Sequence, residues 1–178
     1  MIGVEEDLEV AISVERLQAR VRELGEQISR DFRGQNPVVL GTLKGGFLFI
    51  ADLVRQLKFE VEIDFISARS YLDSTTSSGK VDLFKKLSID IENRRLLIVE
   101  DVVDTGLTLR RLVENLRAAG PASVDIVTLI VKESALPLDI DIKYVGFEMD
   151  ERFLVGYGMD LAEKYRNLPY IAWLRDVK

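Results

Sequence analysis

Between Leu96 and Thr108 the chain reads LLIVEDVVDTGLT: four apolar residues run straight into Glu100 and Asp101, a third carboxylate follows at Asp104, and a Thr-Gly turn comes next. A short apolar run bounded by turn residues reads as a fully buried strand. Leu109, Leu112, Val113 and Leu116 then recur at helical spacing until Gly120 and Pro121 stop the helix. In an open α/β sheet, ligands sit beyond the carboxyl ends of the strands, so Glu100 and Asp101 should face the mouth of a crevice.

The rest of the chain repeats the alternation of strand and helix. Ser13 is placed to cap a helix carrying Leu17, Val21, Leu24, Ile28 and Phe32 on one face, ending before Gly34 and Pro37. VVLGT (38–42) reads as a short buried strand, broken by Lys44-Gly45-Gly46, and FLFIADLVRQL (47–57) as a helix. EVEIDFISARSY (60–71) starts with strict alternation, which predicts a strand with one face on the core. LDSTTSSGK (72–80) is small and polar, a loop with little to bury, and VDLFKKLSID (81–90) looks like a further strand. After the central strand RLLIVE (95–100), SVDIVTLIVK (123–132), KYVGFE (143–148) and YIAWL (170–174) complete the strand set. Strands alternating with helices imply a parallel α/β sheet. With 178 residues and neither repeat nor linker, residues 1–178 read as one domain.

Composition narrows the chemistry. Cysteine and histidine are both absent, so disulfides, thiol nucleophiles, His/Cys zinc sites and Ser-His-Asp schemes are excluded. Proton transfer must use carboxylate, lysine, tyrosine or water, and any bound metal should be a hard cation with oxygen ligands. The lack of cysteine fits a reducing cytoplasm. A net charge of −6 argues against a general nucleic-acid or anionic-membrane partner. No apolar run approaches the roughly 18 residues of a membrane span, and MIGVEEDLEV lacks the basic start of a secretory signal.

The three acids gain a meaning from the residues after them. The first N–H groups of the helix beyond Asp104 have no intrahelical partners. With the Thr105 and Thr108 hydroxyls and a backbone opened by Gly106, they make a nest for an anion. Acids before and amides after suit a ligand with both hydroxyls and a phosphate, such as a sugar phosphate. The plainer reading is an ordinary strand-to-helix turn, with Asp104 or Thr105 as the cap and the acids solvated. A receiver domain also places an acidic pair after an apolar strand, but near its N-terminus, whereas here half the chain comes first.

VEDVVDTGLTL resembles the phosphoribosyl-pyrophosphate (PRPP) signature of type I phosphoribosyltransferases. GTLKGGFLFIADL, ISARSY, VGFEMDERFLVGYGMDLAEKYRNLPYI and QARVRELGEQIS resemble the hypoxanthine-guanine branch, so the likeness spans nearly the whole chain. The resemblance implies an α/β type I phosphoribosyltransferase fold: a central, mostly parallel sheet flanked by helices, with a small hood formed by terminal segments. It implies Mg²⁺-dependent transfer of a 5-phosphoribosyl group from PRPP to a 6-oxopurine, in a homo-oligomer, dimer or tetramer. By resemblance, Glu100 and Asp101 hold the ribose hydroxyls and Mg²⁺, and Asp104 is the general base for the purine N7 proton. The segment Asp104, Thr105, Gly106, Leu107 and Thr108 cradles the 5′-phosphate. Lys44 and Gly45 contact pyrophosphate from a loop that often carries a non-proline cis peptide. Ser70 and Tyr71 close over the site. Lys132 donates to the purine 6-oxo group, Phe153 stacks on the ring, and the Leu154 backbone meets its other edge. Asp160 helps to hold a second Mg²⁺, and Arg166 contacts pyrophosphate.

Each assignment has a plainer counterpart. Lys44 could be a solvated turn residue, Phe153 a core residue, and Lys132 a surface charge with a buried stem. Asp160 could cap a DLAEKYR helix, and Arg166 could pair with Glu163 or Asp160. Leu107 stands where the family usually has a polar residue, and ESALPLDIDI (133–142) lacks the family's basic or proline-rich character there. A PRPP-sensing regulator on the same fold remains a second reading. It would need a basic face or an added DNA-binding domain.

Overall fold

The structure, a computed structural model, describes residues 8–67, 87–135 and 140–175. Its elements in chain order are β1 (Leu8–Ile12), α1 (Val14–Asp31), β2 (Val38–Leu43), α2 (Phe47–Val54), β3 (Glu62–Ser67), β4 (Arg95–Val103), α3 (Leu107–Arg117), β5 (Ser123–Lys132), β6 (Tyr144–Met149), β7 (Leu154–Val155) and β8 (Ile171–Leu174). The strands form a five-stranded sheet in the order β3-β2-β4-β5-β6, every neighbouring pair parallel, and a three-stranded antiparallel sheet β1-β8-β7. Among the described residues no helix is long and apolar enough to cross a membrane.

The central strands are buried on both faces because they alternate between two cores. Val39, Leu97, Val99, Val127 and Leu129 point to the side of α1 and α2. Val38, Leu40, Leu96, Ile98 and Ile126 point to α3, which answers with Leu109, Leu112, Val113 and Leu116. In α1, Leu17, Val21, Leu24 and Ile28 bury one stripe, and Ser13 caps the helix by accepting from the Arg16 N–H. Each such fully buried aliphatic side chain contributes about 1.5–3 kcal/mol. Ile12, Leu154, Tyr157 and Ile171 of the small sheet and its turn belong to the α1 core as well, so hydrophobic burial ties the two sheets together.

The topology fixes where a cleft can open. From β2 the chain passes first to β3 on one side and then to β4 on the other, so the sheet's switch point lies between the carboxyl ends of β2 and β4. Their ladder ends at Gly41 beside Val99, while β4 keeps its register with β5 as far as Val103 beside Val131. Glu100 and Asp101 are therefore inside a strand, just past the last residue that β2 covers. At this level the two-residue alternation breaks: Val99 and Val102 pack on the same core, as do Leu129 and Ile130 on the neighbouring strand.

Several expected elements differ. The helix after β2 stops at Val54. Within the strand predicted over 60–71, β3 covers Glu62–Ser67, and the face expected on the core is bare there: Ile63 and Phe65 are exposed, while Ile66, on the opposite face, is buried. β3 is an edge strand, and α2 packs on β2 and β4 instead. Of the strand predicted over 81–90, residues 87–90 run without regular structure and the remainder lies outside the described residues. YIAWL becomes β8, but in the antiparallel sheet. β1 and β7 carry no signal that the periodicity picked out.

Candidate functional site

Two hollows meet at the switch point, and Glu100 lines both. One, of about 260 Å³, lies between the β2 loop and the 160–166 turn, with Lys44, Gly45, Asp101, Asp160, Glu163 and Arg166 in its wall. The other, of about 300 Å³, lies over the β4–α3 turn against Asp104, Thr105, Gly106 and Thr108.

Glu100 is partly buried, and burial raises its carboxyl well above the usual range; the adjacent Asp101 charge raises it further. A pair of close carboxylates in a semi-dry wall favours a proton or a cation. Below them Thr42 is buried, its hydroxyl donating to the Val99 carbonyl at 3.0 Å. The Leu43–Lys44 peptide is cis. Gly45 then passes so close to Asp101 that a Cβ there would overlap the carboxylate. Gly158, at φ 99°, presses likewise on the Gly45 carbonyl. The β2 loop is thus clamped between the acids of β4 and the turn after β7.

In the second hollow, Gly106 occupies the helix N-cap position with φ 72°, a left-handed conformation that glycine adopts without penalty. Neither Asp104 nor Thr105 is the N-cap. Asp104, Thr105, Leu107 and Thr108 are exposed, and the Leu107 N–H reaches Thr105 Oγ1 at 3.5 Å. The first amides of α3 accordingly face the hollow with little internal competition.

Lys132, at the end of β5, is buried rather than a solvated charge. Its ammonium donates to the carbonyls of Asp150, at 2.8 Å, and Arg152. Burial pushes it down from its ordinary range, against the pull of the Glu151, Asp150 and Asp104 carboxylates. Phe153 is 41% exposed, so it is not core, and its carbonyl accepts from the Leu174 N–H at 3.0 Å. Leu154 is buried and paired with Trp173.

The 160–166 segment is not a helix. Ala162, Glu163 and Tyr165 all have positive φ, and Leu161 and Lys164 exchange backbone hydrogen bonds. Asp160 Oδ2 accepts from the Glu163 N–H at 2.7 Å and Oδ1 meets Arg166 Nη2 at 2.7 Å. Arg166 also reaches Glu163 at 3.0 Å and donates to the Gly158 carbonyl at 2.7 Å. Lys44 pairs with Glu163 at 3.3 Å.

Among the described residues no three acidic side chains converge tightly enough to hold a metal by themselves. Glu100 and Asp101 nevertheless fit a hard cation that takes its remaining oxygens from a substrate, the usual habit of Mg²⁺. Ser70 and Tyr71 lie outside the described residues, as does the 72–80 loop. Thr42, Gly158, Glu163 and the Ser134–Glu151 pair, where the Ser134 N–H donates to Glu151 at 2.6 Å, were not singled out as site residues by sequence. Only Glu163 carried a hint, three positions before an arginine.

The family model described as phosphoribosyl transferase domain matches residues 13–162. A hypoxanthine-guanine phosphoribosyltransferase of Bacillus subtilis is 45% identical over 93% of this chain and 92% of its own length. The solved structure of a hypoxanthine-guanine phosphoribosyltransferase from Bacillus anthracis with HEPES in its active site superposes with a TM-score of 0.84, at 44% identity over 96% of this chain and 99% of that one. A hypoxanthine phosphoribosyltransferase structure from Staphylococcus aureus gives a TM-score of 0.86, at 40% identity over 98% and 97% of the two chains. The chain belongs to the type I phosphoribosyltransferases, in their hypoxanthine-guanine branch.

Proposed function

We propose that this chain is a purine-salvage enzyme that transfers the 5-phosphoribosyl group of PRPP to hypoxanthine or guanine and releases pyrophosphate. The observation that carries the reading is the convergence at one switch point of an acid pair, an amide nest and a cationic loop. Glu100 lines both hollows, and Asp101 lines the one on the cationic side. A phosphorylated sugar carrying a pyrophosphate needs those three surfaces in that order.

Glu100 and Asp101 accept hydrogen bonds from the ribose hydroxyls and supply carboxylate oxygens to Mg²⁺, and Asp160 contributes on the pyrophosphate side. When bound, Mg²⁺ neutralises the leaving pyrophosphate. The amides from Asp104 to Thr108 hold the 5′-phosphate; because they are backbone groups, Leu107 can replace a polar residue without loss. Lys44, the Gly45 amide and Arg166 hold pyrophosphate. Phe153 offers its exposed ring to the purine and the Leu154 backbone meets the ring's far edge. Two of the three Lys132 donors are spent on carbonyls, which leaves one for the 6-oxo group. Asp104 takes the N7 proton as the purine nitrogen bonds to C1′ and the C1′–oxygen bond to pyrophosphate breaks. Displacement at C1′ passes through a cationic sugar, so positioning and charge neutralisation dominate the rate. Ser70 and Tyr71 belong to the same reading as a closing segment.

The chain functions as one domain, in the cytoplasm, as a homo-oligomer. A pyrophosphate-coupled assay with PRPP, Mg²⁺ and each of hypoxanthine, guanine, xanthine and adenine tests the activity. Turnover of hypoxanthine or guanine but not adenine is expected; no pyrophosphate from any base would refute it.

A further inference from the structure

Lys44 and Arg166 reach one hollow from two different elements, and a carboxylate already lies between them. Glu163 Oε2 is 3.3 Å from Lys44 Nζ and 3.0 Å from Arg166 Nη2. The Glu163 side chain is about half exposed, so solvent and a ligand in the hollow can both reach it. Its backbone, by contrast, is firmly held. The Glu163 N–H donates to Asp160, and Leu161 and Lys164 close the turn with two hydrogen bonds. Non-glycine residues at positive φ are uncommon, yet Ala162, Glu163 and Tyr165 all adopt it here, with φ of 51°, 65° and 72°. That conformation carries the Glu163 side chain into the hollow in place of the helix that the sequence suggests.

We infer that Glu163 is an exchangeable counter-ion of the pyrophosphate subsite: its carboxylate bridges Lys44 and Arg166 when the subsite is empty, yields them to pyrophosphate, and reclaims them as pyrophosphate leaves. The inference rests on the reading of this hollow as the pyrophosphate subsite. Two cations facing each other over an open hollow repel, and a carboxylate between them keeps both oriented. The same carboxylate competes with the incoming polyanion. It therefore weakens binding of the substrate's pyrophosphate end and of the product alike, which shortens the product's residence. Asp160 differs from Glu163 in that it pairs with Arg166 while also accepting the Glu163 N–H, so it holds the turn as well as the cation. Glu163 is a positioning residue and touches no reacting atom.

Calorimetric titration of the full chain with pyrophosphate and Mg²⁺ tests the inference, alongside steady-state kinetics in PRPP. Glu163→Gln keeps the side-chain size and the backbone N–H that closes the turn, but removes the charge. Exposed ion pairs are weak, each worth no more than about fivefold in an equilibrium constant. Removing two such competitors should tighten pyrophosphate binding about three- to tenfold and lower KM for PRPP, with the Tm unchanged. Glu163→Asp, which restores the charge, should return the affinity toward that of the parent. If Glu163 serves only to hold the cations in place, Glu163→Gln will instead bind pyrophosphate more weakly. An unchanged or weakened affinity overturns the exchange. Lys44→Ala separates the two claims: weaker pyrophosphate binding supports the subsite, whereas an unchanged affinity removes the subsite and the exchange together.

Discussion

Asp104 is exposed at the rim of the hollow over the β4–α3 turn, and its backbone carbonyl lies 3.5 Å from the Ser134 hydroxyl. Because Gly106, not Asp104, is the N-cap, the side chain is free of a capping duty. Asp104→Asn should therefore leave the turn intact while removing a base, and general base catalysis is worth about 10²–10⁴-fold. Turnover should fall within that range with PRPP affinity retained, as measured by kinetics and calorimetry; near-parent turnover would leave Asp104 without a catalytic part. Gly45 makes a steric case at the same scale. Any side chain there must displace Asp101 or the β2 loop. A misplacement of about 1 Å can cost 10²-fold in rate. Gly45→Ala should lower kcat/KM for PRPP by about 10–100-fold while the Tm moves little, because Gly45 lies beyond the strand ladder. A parent-like kcat/KM would show that the loop yields without consequence. At this scale the sequence marked the strand-to-helix turn at VEDVVDTGLT, though not its cap, and it could not show hydrogen bonds to partners far along the chain. Lys132 is the clearest instance, since its partners at Asp150 and Arg152 lie 18 and 20 positions away.

Elements with a strong local pattern were legible nearly to their ends. β5 spans the same ten residues that the apolar run marked, and α1 begins at its Ser13 cap. β4 outran its expected end because Val102 and Val103 keep pairing with β5 after β2 has stopped, and no local pattern records where a neighbour ends. β1 escaped because LEVAI is fixed by pairing with residues 171–174, far along the chain, with only its end at Ile12 buried in the core. The DLAEKYR stretch misled in the opposite sense: its composition favours a helix, but Asp160 and Arg166 bind the turn more tightly. β3 shows how an edge is secured. Burial would raise the Asp64 carboxyl, but backbone N–H donors from Phe65, Ser88 and Ile89 together with the Ser88 hydroxyl outweigh it and hold it below its ordinary value. These bonds pin residues 88–89 against the strand. A depressed folded-state value contributes stability above the unfolded value of about 3.9 and loses it as pH falls through the folded one. Asp64→Asn should cost about 1–2 kcal/mol at pH 7, a hydrogen-bonded carboxylate's worth. The gap to the parent should stay level above about pH 5 and close below pH 4. Denaturant unfolding at several pH values reads this, and a pH-independent gap would contradict it.

Across the whole molecule, Lys132 joins the parts that the sequence could describe only separately. It stands at the end of β5 in the parallel sheet, while the carbonyls it holds belong to the 150–152 segment that leads into the antiparallel sheet and to Phe153. One buried cation thus ties the end of β5 to the segment that carries Phe153. That segment is stiffened further by Arg152, which pairs with Asp150 and lies 3.6 Å from the Trp173 ring centroid. An ammonium has donors and no acceptor, so its remaining hydrogen can serve a 6-oxo group but meets another donor in the 6-amino group of adenine. Leaving a buried charged partner unsatisfied costs about 1–3 kcal/mol or more. Sites built on such a bond can reject the analogue lacking it by about 10⁴-fold. The parent should therefore prefer hypoxanthine to adenine in kcat/KM by that order. Lys132→Met keeps an apolar stem of similar length but strands both carbonyls and removes the donor, so hypoxanthine kcat/KM should fall by at least about 10²-fold. Adenine kcat/KM should change far less, since it gains nothing from the bond. Equal losses for both bases would mean that Lys132 only holds the 150–152 segment and does not read the purine.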